Sequence, residues 1–243
     1  MRVTDNVAER SLADPRGSRM HASGRRWDAG WMGDSDFSST PKSAEHASED
    51  DWGAYYARLA GRATRPLFER VRSIYLAAGA TRTAVDLGCG DGTETLAMLD
   101  DGLSVTAIDG SPSSIKRVQE RAGSRPGLRT IQARLEEVEL PDTDLVYSGL
   151  TLPFCQPDQF PALWDRVCDS LRPNGLIAVH LFGDRHGWMR EEMTFVTNDQ
   201  LGGLVSGLAV LDLREIDEVL PSATGDQVRM HIFDLVARNI AAT

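Results

Sequence analysis

The chain has 243 residues, with 26 basic against 36 acidic side chains and a formal net charge of −10. That length suits one α/β domain of ordinary size with an additional segment. The acidic balance argues against a protein that grips nucleic acid by its phosphates and favours a small-molecule substrate. The three cysteines, Cys89, Cys155 and Cys168, show no C-x-x-C spacing. Neither a disulfide framework nor a metal site is expected, and a reducing, cytoplasmic setting is. No apolar run approaches the eighteen or so residues of a membrane span, and the N-terminus lacks the apolar core of a secretory signal, so no membrane partner is expected.

Residues 1–47 are rich in Gly, Ser, Asp and Arg, with Trp27, Trp31 and Phe37 scattered through them without period. The composition predicts a flexible tail; the other reading is that the aromatics of residues 26–32 cap the active site or a partner subunit. From residue 48 onward the chain reads as one domain. Ser48 and the acids that follow it form a helix start, and Trp52, Tyr55, Tyr56 and Leu59 recur on one face of a helix ending near residue 59. A second helix is predicted over residues 66–78, with Leu67, Val71, Ile74 and Tyr75 on its apolar side.

Residues 83–93 read Thr-Ala-Val-Asp-Leu-Gly-Cys-Gly-Asp-Gly-Thr, an apolar run that closes on an acid and a glycine cluster. A buried parallel strand turning into a helix has this pattern, because glycine lets the backbone bend tightly and a ligand press against it. The spacing is G-x-G-x-G. A dinucleotide fingerprint needs its third glycine where Thr93 stands, and the chain has no plausible Tyr-x-x-x-Lys pair, so a nicotinamide dehydrogenase is disfavoured. A helix is expected over residues 91–99. Residues 104–108 form a second strand ending in Asp109, whose carboxylate would lie beside the glycine loop and could accept both hydroxyls of a ribose. Ser111 and Pro112 open the next helix, and residues 128–133 and 144–148 read as further strands. A helix to about residue 171, a turn at Pro173-Asn-Gly175 and a fifth strand over residues 176–182 follow. The polar loop 183–190 lies beyond that strand's carboxyl end, Thr197 caps another helix, and two long strands, about 209–218 and 228–237, end the domain. This βαβαβ rhythm predicts a mostly parallel sheet with helices on both faces.

The run Val-Asp-Leu-Gly-Cys-Gly-Asp-Gly, followed by Val-Thr-Ala-Ile-Asp-Gly-Ser, residues 144–148 and the Leu171-Arg-Pro-Asn-Gly175 turn, resembles the class I S-adenosylmethionine-dependent methyltransferases over roughly residues 50–240. The resemblance implies a Rossmann-like seven-stranded sheet closed by a C-terminal antiparallel hairpin, with S-adenosyl-L-methionine as cofactor. It implies cofactor contacts from Gly88, Cys89 and Gly90, with Asp86 supporting the loop; from Asp109, Gly110 and Ser111 at the ribose; and from Arg134 and Leu135 at the adenine. Glu136 is either the acceptor of the adenine amino group or a solvated acid. Ser148 and Gly149 stand where the family passes the methyl group to substrate. Tyr55, Tyr56 and Arg62 could cover the cofactor; alternatively the tyrosines are core and Arg62 a solvated helix end. The Leu-Pro-Phe-Cys run and the Asp-Arg-His-Gly-Trp loop look most like the small-molecule branch of tellurite-resistance and thiopurine-type enzymes.

Such an enzyme would transfer methyl to an O, N, S or chalcogen nucleophile of a small molecule, as a monomer or homodimer. A base would help a hydroxyl or amine acceptor, and His186 in the loop after the fifth strand is the candidate, with His180 and His231 behind it. His180 stands in an apolar run, where a hydrogen-bonded core histidine is the plainer reading. Trp188 and Arg185 could shape or hold an anionic substrate. The alternative function is a cofactor-binding regulatory or cyclase-like protein on the same fold.

Overall fold

The computed structural model describes residues 61–221 and 227–240. The expected tail at 1–47, the helix over 48–59 and the candidates Tyr55 and Tyr56 lie outside the described residues.

Helix α1 (Pro66–Ala78) follows Arg65, whose extended backbone (φ −70°, ψ 149°) is what a residue before proline adopts. It buries Leu67, Phe68, Val71 and Tyr75 and stops at Gly79, which is left-handed at φ 65° and returns its N–H to the Tyr75 carbonyl. Strand β1 (Thr83–Leu87) leads through the glycine loop into α2 (Thr93–Asp100). Then come β2 (Ser104–Asp109), α3 (Pro112–Ala122), β3 (Leu128–Gln132) and β4 (Thr143–Ser148). A short 3-10 turn at Leu152–Phe154 precedes α4 (Phe160–Asp169), β5 (Leu171–Phe182), α5 (Asn198–Leu204), β6 (Leu208–Pro221) and β7 (Gln227–Asn239).

The seven strands form one sheet in the order β3-β2-β1-β4-β5-β7-β6. The first five are parallel, and β7 runs antiparallel between β5 and β6. Strand order reverses between β1 and β4, so the crevice at the carboxyl ends of β1, β2 and β4 is where such a sheet binds a ligand. Alternate residues divide between two cores: Ala84, Leu145, Tyr147, Ala178 and Val236 meet α1 and α2 on one face. On the other, Val85, Leu87, Val146, Ile177, Val179 and Leu235 meet α4. Central strands buried on both faces are the reason for their near-continuous apolar runs.

Two boundary differences from the sequence reading have a clear local cause. Helix α2 begins at Thr93 rather than at residue 91, because Gly92 is held left-handed at φ 78° and serves as the N-cap. Strand β5 begins at Leu171, ahead of the expected turn. Pairing with β4 passes from Thr143–Leu171 to Leu145–Leu176, so Arg172 to Gly175 form a bulge inside the strand, with Asn174 at φ 65°. No helix among the described residues is long and apolar enough to cross a membrane.

Candidate active site

The glycine loop is bent as its composition requires. Gly88, Gly90 and Gly92 have φ of 79°, 49° and 78°, values that a residue with a Cβ adopts only with strain. The Gly88 and Cys89 N–H groups both donate to the Ile108 carbonyl, at 2.8 and 3.0 Å, which fixes the loop against the end of β2. A Cβ on Gly88 would stand 2.1 Å from the Thr151 side chain, and one on Gly92 would stand 2.7 Å from Val118. Asp109 sits under the loop: its Oδ2 accepts the Gly90 N–H at 2.9 Å and its Oδ1 the Ser111 N–H at 2.9 Å. Ser111 caps α3 by accepting the Ser114 N–H, and Gly110 lies exposed between them.

Asp86 is fully buried, so desolvation leads the forces that raise its carboxyl to about 7, although it accepts the Thr95 hydroxyl at 2.5 Å. Cys89 packs beside Ala107 and Val118. Burial, and then the Asp109 charge, push its thiol well above the ordinary range, so it is no nucleophile. Beyond β3, Arg134 is exposed and makes a 3.4 Å ion pair with Glu136. Arg166 holds the Leu135 and Glu136 carbonyls at 3.1 and 3.0 Å, fixing the segment that would edge an adenine.

Three of the expected residues have partners within the chain. Ser148 donates its hydroxyl to the Leu87 carbonyl at 2.8 Å, tying the end of β4 to the end of β1, so its backbone alone is left to bound the crevice. Arg62 is no solvated end and no open ligand group: it grips Glu94 and Asp91, and these two carboxylates overcome burial and raise its pKa further. Arg185 turns its guanidinium back onto Glu215 and Asp217, at 2.5 and 2.9 Å, away from any anionic substrate.

The loop after β5 is clamped rather than open. His231 is fully buried; its Nδ1 accepts the Arg185 N–H at 3.0 Å and its Nε2 stands 3.0 Å from Glu215. A Cβ on Gly183 would stand 2.0 Å from His231 Nδ1, so the close approach needs glycine. Glu215, Asp217 and His231 gather their ligand atoms within 4.8 Å, but Arg185 and Arg229 already neutralise the two acids. His186 is also buried, stacked on Phe182 at 4.1 Å, with its Nδ1 accepting the Trp188 N–H at 3.1 Å. Desolvation, and then His231, lower its pKa to about 4, and its Nε2 is buried without a hydrogen-bond partner. Trp188 belongs to the same cluster, 5.3 Å from His186.

Other buried polar groups carry no sequence signature. Arg65 is 6% exposed, and its Nη1 has no hydrogen-bond partner. The Tyr147 hydroxyl and both ring nitrogens of His180 are likewise without one. His180 Nε2 lies 3.3 Å from Asp234 Oδ1, too poorly aligned for a hydrogen bond. The Arg65-Pro66 step is the only available hint, since an extended residue before a helix points its side chain off the helix axis; Tyr147 reads simply as a strand aromatic.

Comparison with known proteins agrees with this geometry. Residues 84–175 match the model of a methyltransferase domain. A carboxy-S-adenosyl-L-methionine synthase of Vibrio atlanticus is 33% identical over 99 residues, which are 38% of this chain and 41% of that protein. A trans-aconitate 2-methyltransferase of Paracidovorax citrulli is 33% identical over 153 residues, 58% of this chain and 55% of that one. The chain thus spans about half, or less, of the length of these curated relatives. In fold, it is similar to TehB from Haemophilus influenzae at a TM-score of 0.64 and 17% identity, over 79% of this chain and 66% of that one. It is similar to the N-methyltransferase NodS from Bradyrhizobium japonicum, in complex with S-adenosyl-L-homocysteine, at 0.62 and 16%, over 79% and 98%. The seven-stranded, mostly parallel sheet and its closing antiparallel hairpin are those that the sequence resemblance implied.

Proposed function

We propose that the chain is an S-adenosyl-L-methionine-dependent methyltransferase acting on a small-molecule acceptor. The observation that carries the reading is the cradle at the head of the sheet. Three left-handed glycines bend the loop, with Gly88 and Gly92 packed so closely that a Cβ would collide with Thr151 and Val118, over a carboxylate fixed by the Gly90 and Ser111 amides. The donor set fits the cofactor: Asp109 would accept the ribose hydroxyls, the backbone from Ala133 through Leu135 would edge the adenine, and Gly88 and Gly90 would admit the methionine portion. Ser148 and Gly149 bound the acceptor side through their backbone. The cofactor brings a methyl group already activated on a sulfonium, so the chain's own contribution is to align the nucleophile and exclude water.

An acceptor of small-molecule size accords with the net charge of −10, which opposes nucleic-acid phosphates, and with the names of the two curated relatives. The absence of a membrane-length helix among the described residues accords with a cytoplasmic setting. His186, buried and stacked on Phe182, would support the acceptor loop, and its lowered pKa makes it a weak base. The test is calorimetry with S-adenosyl-L-homocysteine, followed by incubation with methyl-labelled cofactor and a panel of carboxylic acids, thiols, phenols, amines, selenite and tellurite. Binding together with label transfer to a panel member is the expected result. No measurable binding of either cofactor form would overturn the assignment.

A further inference from the structure

One group at the start of α1 has the wrong electrostatics for a finished protein interior. The Arg65 side chain is buried, its Nη1 has no hydrogen-bond partner, and among the described residues no carboxylate lies within ion-pair distance of it. The nearby acid is already engaged: Glu94 takes both Arg62 nitrogens and the Arg65 backbone N–H. A buried guanidinium with an unpartnered nitrogen, whose interacting carboxylate Glu94 is shared with Arg62, is under-compensated, so such a group is retained where a ligand supplies further charge.

Two further features converge on the same place. Arg65 is the N-cap of α1, a 13-residue helix, so the positive end of the helix dipole adds to the guanidinium. Tyr147 meets the first turn of that helix, with its ring 5.4 Å from Phe68 in an edge-to-face contact. Its hydroxyl is buried without a partner and lies where a Cβ on Gly149 would be 2.9 Å away. Burial, and then the Glu94 charge, raise the phenol well above its usual pKa, so it stays protonated and can donate. A guanidinium nitrogen and a protonated phenol, both buried and unpartnered, describe an oxyanion receptor.

We infer that Arg65 and Tyr147 form a subsite for a carboxylate carried by the methyl acceptor, which makes the acceptor a small organic acid. This rests on the methyltransferase reading above. The acceptor is the source because Tyr147 and Gly149 stand at the end of β4, one strand over from the β1–β2 crevice of Gly88, Gly90 and Asp109, and toward β5. Gly149 is then glycine because a side chain there would displace the phenol.

His180 supplies a reporter. It is two residues beyond Ala178, the register partner of Tyr147, on the same face of the sheet. Desolvation holds its pKa down at about 4; Asp234 and Glu94 oppose this, while Arg65 and Arg70 add to it. A carboxylate docked on Arg65 offsets one of those positive charges, so the imidazole should titrate at higher pH when the subsite is filled.

The test uses the full chain saturated with S-adenosyl-L-homocysteine and, as probes, benzoate, succinate and propane-1,2,3-tricarboxylate beside their amides. At least one acid should bind tenfold or more tighter than its amide and move the His180 resonance titration upward. Tyr147→Phe, which keeps the ring and its packing, should weaken that acid about tenfold, and Arg65→Met should weaken it further. Both variants should leave S-adenosyl-L-homocysteine affinity within about twofold. If no acid outbinds its amide, the proposal fails. A matching loss of S-adenosyl-L-homocysteine affinity in the two variants also overturns it, because the carboxylate would then be the cofactor's own. If the wild type does not bind S-adenosyl-L-homocysteine at all, the methyltransferase reading fails by itself, and acid binding to the unliganded chain still decides for or against the subsite.

Discussion

Arg62 and Glu94 form a two-pronged ion pair, Nη1 to Oε1 at 2.6 Å and Nη2 to Oε2 at 2.5 Å, with side chains 15% and 5% exposed. The pair locks the segment before α1 onto the first turn of α2, directly behind the glycine loop. Removing one partner strands the other charge in the interior. Arg62→Met should therefore lower unfolding stability in urea by about 3 kcal/mol. S-adenosyl-L-homocysteine affinity, measured on the folded fraction, should stay within about threefold. A large affinity loss without a stability loss would return Arg62 to the role of a cofactor ligand.

Asp109 is the residue on which the cofactor assignment depends most directly. Asp109→Asn retains the shape and one acceptor oxygen but removes the charge, and charged hydrogen bonds contribute on the order of 2 kcal/mol. Calorimetry should show S-adenosyl-L-homocysteine binding weakened about thirtyfold. Because Oδ2 and Oδ1 also hold the Gly90 and Ser111 amides, the variant's melting temperature should be read alongside. Unchanged affinity with a lowered melting temperature would mean that the carboxylate serves only the loop.

Gly88 faces two separate obstacles to substitution: its φ of 79° and the Thr151 side chain, which would lie 2.1 Å from an added methyl group. Gly88→Ala should cost about 1–2 kcal/mol for the left-handed backbone and a further amount for the collision. Combining it with Thr151→Gly should recover the second part and leave the first. Strictly additive losses in that double-mutant cycle would show that the two residues do not meet.

Much of the architecture is legible in the sequence because its signals are local. The period of the apolar residues places α1 at Pro66–Ala78, and the acids at or near the ends of the first two strands place Asp86 and Asp109 at the head of the sheet. What stays hidden depends on neighbours far away in sequence. Nothing near Arg62 announces that Glu94 and Asp91 will neutralise it, nor does the sequence around His186 announce Phe182 beneath its ring. Arg65 escapes notice for the opposite reason, since a lone arginine before a proline is ordinary until its partners prove missing. The early start of β5 is concealed by Pro173-Asn-Gly175, residues equally suited to a turn between elements and to a bulge within one.

His186 gives the sharpest opposition between the two ways of reading this loop. Its ring lies on Phe182 at 4.1 Å, and burial followed by the neighbouring His231 lowers its pKa to about 4, so it is neutral and a weak base at pH 7. In the unfolded chain a histidine titrates near 6.5. Between about 6.5 and 4 the unfolded state therefore binds a proton that the folded state refuses, and the stability present above that window is lost as pH falls through it. His180, also lowered to about 4, acts in the same direction. Asp86 opposes them: its folded carboxyl titrates at about 7 against 3.8 in the reference state, so the folded chain takes up a proton and gains stability as pH falls from 7. Two histidines against one carboxyl leave a net loss of about one proton's slope from about pH 6.5 to 4.5. His186→Phe, which keeps a flat ring on Phe182, should remove one histidine from that balance and nearly flatten the urea-derived stability across the window, while kcat changes by less than about threefold. A hundredfold fall in kcat with loss of the acidic limb of the pH–rate profile, and no change in the stability slope, would show instead that His186 is reached by solvent and works as the base.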